Sequence, residues 1–64
     1  MKLTPREKDV IALVAEGYAD KEIAIQLKIS PRTVQTHISK LLLKMNARNR
    51  CNAVLIYMMS NKAE

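Results

Sequence analysis

The residues with most chemistry to offer run from Ser30 to Lys44: Ser-Pro-Arg-Thr-Val-Gln-Thr-His-Ile-Ser-Lys-Leu-Leu-Leu-Lys. Ser30 suits an N-cap, since its hydroxyl can accept from a free amide of the first turn, and Pro31 at N1 loses nothing by lacking an N–H. The apolar residues Val34, Ile38, Leu41, Leu42 and Met45 recur at helical spacing and form one buried stripe. The opposite face carries Arg32, Thr33, Gln35, Thr36, Ser39 and Lys40, with Lys44 a turn later, and no acid. An amide, several hydroxyls and cations at both ends can bond base edges and phosphates, which is the chemistry a helix needs in a DNA major groove.

Composition limits what can hold such a helix. Sixty-four residues suffice for one small all-α domain over 1–64, which buries roughly 60% of the surface its unfolded chain exposes. The formal charge is +5, and it is unevenly placed. Up to Glu22 the acids Glu7, Asp9, Glu16, Asp20 and Glu22 offset the bases; from there no acid follows until Glu64, while Lys28, Arg32, Lys40, Lys44, Arg48, Arg50 and Lys62 all occur. A one-signed half suggests a polyanion partner, the plainer alternative being a solvated basic surface. The lone Cys51 can form no internal disulfide, and the longest apolar run, Ala53 to Met59, is too short to span a bilayer. A cytoplasmic protein without membrane contact is expected.

Along the chain, Met1–Leu3 is a lead-in, and Thr4-Pro5-Arg6-Glu7 forms a capping box for a first helix over about 5–16. Val10, Leu13 and Val14 should point inward with Ile11 on the flank, Gly17 should end the helix, and the Tyr18 ring should plug the corner that follows. Asp20 is the expected cap of a second helix over 21–28, with Ile23, Ala24 and Leu27 facing the core. Only Ile29-Ser30 separates it from the third helix, 31–45, so the two must cross steeply as a helix-turn-helix. Asn49 can cap a fourth helix over 50–61.

That fourth helix is apolar nearly all round. Ala53, Val54 and Tyr57 suffice for the core, leaving Cys51, Leu55, Met58 and Met59 as an outward stripe whose expected cover is the same helix of a second copy. Tolerated exposure, or contact with another domain of a longer protein, fits the same pattern.

Leu3-Thr4-Pro5-Arg6-Glu7, Gly17, Lys21-Glu22-Ile23-Ala24, Leu27, Ile29-Ser30, Thr33-Val34, His37, Lys44, Asn49-Arg50 and Ala53-Val54 together resemble the LuxR/FixJ/NarL-type helix-turn-helix DNA-binding domain, in its GerE-like stand-alone form. The resemblance covers Leu3 to about Met59 without a gap. It implies a four-helix domain whose third helix reads the major groove and whose fourth pairs subunits, hence double-stranded DNA and a homodimer as partners, with RNA polymerase a further candidate. Base-reading roles carry over to Gln35, Thr36 and Ser39. Gln35 stands where the family often has Lys or Arg, and this favours adenine over guanine. Phosphate contacts carry over to Lys21, Arg32, Thr33, His37, Lys40 and Lys44. Arg50 matches as well, either for DNA or to bond carbonyls closing the third helix. Ala19 and Leu43 depart from the family, which often has a hydroxyl at the first and a polar residue at the second.

No catalytic constellation is visible, and neither a cofactor nor a metal site is expected: His37 is the sole histidine and has no ligand partner at metal-binding spacing. Three function classes fit: a dimeric transcription regulator, a sigma region-four-like promoter reader, and a protein-interaction module that sequesters a related regulator through the fourth helix. The apolar fourth helix counts against the second; the polar, cationic front of the third favours the first.

Overall fold

A computed structural model describes residues 3–63 as four helices: α1 (Pro5–Ala15), α2 (Asp20–Leu27), α3 (Pro31–Met45) and α4 (Arg50–Ala63). Met1, Lys2 and Glu64 lie outside the described residues, as do the side chains beyond Ser60. No strand occurs among the described residues, so the all-α four-helix expectation holds.

Each start is set by local hydrogen bonding. In α1 the Thr4 hydroxyl accepts from the Glu7 amide at 3.1 Å and the Glu7 carboxylate accepts from the Thr4 amide at 2.9 Å, the reciprocal box the sequence predicts. In α3 the Ser30 hydroxyl accepts from the Thr33 amide at 3.1 Å. Asn49 Oδ1 accepts from the Asn52 amide at 2.8 Å and so starts α4. The start of α2 differs from expectation. Ala19, not Asp20, is its N-cap, and the Glu22 carboxylate accepts from the Ala19 amide at 2.8 Å; Asp20 is the first helical residue, and its side chain is free to act elsewhere.

α1, α2 and α3 end in the same way. At each end a residue with positive φ, Gly17 (96°), Lys28 (59°) or Asn46 (55°), donates its amide to a carbonyl three residues back. The next amide, of Tyr18, Ile29 or Ala47, reaches a carbonyl five residues back at 3.2, 3.0 and 2.9 Å. This closure satisfies carbonyls that a helix end would leave bare. Glycine reaches positive φ freely, whereas Lys28 does so against a Cβ clash, which explains why the sequence marks the first end more clearly than the second.

α1 and α3 each contact all the other helices, while α2 and α4 do not pack on one another. Val10, Ile11, Ile23, Ala24, Val34, Ile38, Leu41, Met45 and Ala53 form the buried core. Ile11 is fully enclosed and Leu13 and Val14 only half-buried, because α1 packs against both α3 and α4 and its buried stripe centres on Val10-Ile11. Tyr18 does not plug the corner; it remains 36% exposed, and the closing hydrogen bonds of the turn hold the link without its ring.

Candidate nucleic-acid interface

The front of α3 is open. Arg32, Gln35, Thr36, Ser39 and Lys40 are exposed, Thr33 and His37 are half-buried, and Val34, Ile38 and Leu41 behind them are in the core. The spacing 32, 35, 36, 39, 40 places these side chains on adjoining rows of one helix face. The buried stripe thus fixes the rotation of the helix and with it the direction in which the front looks.

Several front groups are already oriented. The Ser30 and Thr33 hydroxyls share a hydrogen bond at 2.8 Å at the positive end of the helix dipole, where a phosphate is favoured. Thr36 Oγ1 donates to the Arg32 carbonyl at 3.1 Å, drawing the hydroxyl back along its own helix. Gln35 and Ser39 are exposed to either side of it. Lys21, exposed in the first turn of α2, adds a cation at a second helix start.

Lys44, further along the helix, already has a partner within the fold. Its Nζ lies 2.8 Å from Glu7 Oε1, an ion pair in which the carboxylate is almost wholly buried and the ammonium half-exposed. The physical reason is the position of Glu7: three and four residues before Val10 and Ile11, it shares their inward face and needs a cation. The bond from Lys44 and that from the Thr4 amide outweigh burial and hold the Glu7 carboxyl below its ordinary range. The sequence marked Glu7 as a capping residue but not as the carboxylate that fastens α3 to α1.

Arg50 is likewise engaged, though not with the carbonyls at the end of α3. Its guanidinium meets Asp20, with Nη1 2.8 Å from Oδ1 and Nη2 donating to Oδ2 at 3.3 Å, so it ties α4 to α2 where their backbones do not pack. The pair also offsets the negative charge of Asp20 next to Lys21, at a helix start otherwise suited to an anion.

Away from α3, Cys51, Leu55, Met58 and Met59 recur at i, i+4, i+7 and i+8 on α4 and are all exposed, Leu55 by 56% and Met59 by 63%. Leu43 is 84% exposed near the end of α3. A groove of about 340 Å³ between α1 and α2, lined by Asp9, Ala12, Leu13, Gln26 and Leu27, holds one carboxylate and no nucleophile. Among the described residues no three His, Cys, Asp or Glu side chains gather as a metal site, and no helix is long and apolar enough to cross a membrane.

This geometry has close counterparts. The GerE profile, described as bacterial regulatory proteins of the luxR family, matches residues 1–57. The chain is 50% identical over 54 residues to the uncharacterized transcriptional regulatory protein YhcZ of Bacillus subtilis (strain 168), covering 84% of this chain and 25% of that one. It is 42% identical over 62 residues to the nitrate/nitrite response regulator protein NarP of Escherichia coli (strain K12), covering 97% and 29%. The structure of the transcription factor GerE superposes with a TM-score of 0.87 at 39% identity, covering 92% of this chain and 88% of that one. The chain thus spans about a quarter of the length of YhcZ and NarP and 6% of a mycobacterial relative. The arrangement of its helices and the profile match agree: the chain belongs to the luxR family of bacterial regulatory proteins, a non-enzymatic family of DNA-binding transcription regulators.

Proposed function

We propose that this chain binds DNA sequence-specifically in the cytoplasm as a dimer, placing α3 of each subunit in successive major grooves of an inverted-repeat site. The observation that carries the reading is the acid-free, exposed row Arg32, Gln35, Thr36, Ser39, Lys40 on a helix whose other side is locked into the core. Gln35 and Ser39 meet base edges, Gln35 by a bidentate pair to adenine N6 and N7. Lys21, Arg32, Thr33, Lys40 and the half-buried His37 face phosphates and set the register. Lys44 is left out of the phosphate set because its ammonium serves Glu7.

Selection of bound duplexes from a random pool tests this directly. An inverted repeat with half-site centres roughly 34 Å apart is expected; a pool that gains no common sequence would contradict it. On the selected site Gln35→Ala should cost about 1–3 kcal/mol in a fluorescence-anisotropy titration, and little on unrelated DNA. An equal loss on both would place Gln35 on the backbone instead.

Pairing runs through Cys51, Leu55, Met58 and Met59, whose exposure on one side of α4 suits a two-fold apolar contact. Leu55→Asp is expected to leave the circular dichroism spectrum unchanged while shifting sedimentation equilibrium to the monomer. A variant that sediments like the parent would remove this face from the interface. Sequestration of a related regulator through the same face is the second reading; the open front of α3 favours the first.

A further inference from the structure

Resting on the groove reading above, we infer that Arg50 supports DNA binding without touching DNA: by pairing with Asp20 it cancels a negative charge that would otherwise repel the phosphate facing Lys21. Arg50 is thus a positioning residue that acts through Asp20. Asp20, Lys21 and Glu22 stand together in the first turn of α2. The Glu22 carboxylate lies at the helix start, where it accepts from the Ala19 amide at 2.8 Å. Both Asp20 oxygens face the Arg50 guanidinium, Oδ1 at 2.8 Å from Nη1 and Oδ2 accepting from Nη2 at 3.3 Å, and Oδ1 is withdrawn from solvent.

The charges at this start therefore balance only while Arg50 is present. Asp20 and Glu22 are then offset by Lys21 and Arg50, and without Arg50 two carboxylates would face one ammonium. The positive end of the helix dipole favours an anion, and a released Asp20 carboxylate would be that anion, one residue from Lys21 and in competition with a phosphate. From Ile23 to Ala63 the chain has no acid, so Asp20 and Glu22 are the last acids before the α3 front. The Arg50 guanidinium, committed to a carboxylate only 21% exposed, serves the phosphate contact by masking that charge and not by a contact of its own.

The test titrates the whole chain onto a duplex selected from a random pool, by fluorescence anisotropy, with circular dichroism melts to fix an assay temperature at which each variant is folded. Arg50→Gln, which keeps a donor for Asp20 and removes the charge, should weaken binding roughly tenfold at about 50 mM salt on a site held by two subunits. That loss should shrink to a few-fold by roughly 200 mM as the repulsion is screened. Adding Asp20→Asn should restore the parent's affinity. Adding Asp9→Asn, which restores the same net charge at α1, should not. Asp20→Asn alone should tighten binding by more than Asp9→Asn alone, and this comparison decides the matter should Arg50→Gln unfold. A loss that persists beside Asp20→Asn would give Arg50 a phosphate of its own, equal rescue by Asp9→Asn would leave only net charge, and a loss indifferent to salt would leave only packing; each overturns the masking role, as does an Arg50→Gln variant that binds like the parent. Failure of the parent to bind any duplex in the pool would overturn the groove reading itself, and this inference with it.

Discussion

Lys44→Met is expected to destabilise the fold by about 2–3 kcal/mol, because a hydrogen bond to a charged group is lost and a buried carboxylate is left with the Thr4 amide alone. The Glu7 side chain is 3% exposed and the Lys44 side chain 41%, so the acid cannot recover its hydration while the lysine already has much of its own. In a domain this small the loss is a large share of the total, and the thermal midpoint should fall by about 8–24 °C. Glu7→Gln combined with Lys44→Met should recover most of it, since glutamine can still complete the capping box and no charge remains buried. The parent should also lose stability in acid. Its Glu7 carboxyl is held below the ordinary value of 4.5, so the unfolded chain takes up the proton first. The contribution is present above that value and is lost as pH falls through the lower folded one. The double variant should lack this component. A Lys44→Met melting curve matching the parent's would remove the ion pair from the account of stability; one that also lowered the salt slope described next would return Lys44 to the DNA contacts.

If the proposed dimer binds, affinity for the selected duplex should weaken about a thousandfold between roughly 50 and 200 mM salt, given about six phosphates neutralised by its two subunits. The cations counted are the exposed Lys21, Arg32 and Lys40 of each subunit, and each phosphate released adds about −0.9 to the slope of log affinity against log salt. Arg32→Ala should therefore reduce the slope by about 2 in the dimer. Anisotropy titrations over a salt series measure both. A slope near zero for the parent would mean that the basic front is solvated surface and carries no phosphate.

The four helices were legible because their start signals are local: Thr4 with Glu7, Ser30 with Pro31, and Asn49 each act within three residues of where they stand. Asp20 misled for the same reason. A residue suited to capping was read as the cap, whereas Glu22 reaches back to the Ala19 amide and Asp20 is drawn to an arginine 30 residues on. The direction of the α3 front followed from its apolar stripe, which the core reproduces at Val34, Ile38, Leu41 and Met45. What could not be read was which cations are free to meet a ligand. Lys40 and Lys44 look alike along the sequence, and only the burial of Glu7, 37 residues away, separates them. A clue was present: an acid on the same helical face as Val10 and Ile11 must find a positive partner somewhere. The hydroxyl of Thr36 is a similar case, since its use within the helix depends on a rotamer that spacing does not specify.

Titration of the isotope-labelled chain with the selected duplex, followed by amide NMR, tests most directly whether the α3 front lies against base edges. The expected result is that the largest shifts fall on Arg32, Gln35, Thr36, Ser39 and Lys40, with a second group at Lys21, while Leu55 and Met59 remain where they were without DNA. Shifts confined to the outward side of α4, or none at all at saturating duplex, would contradict the account.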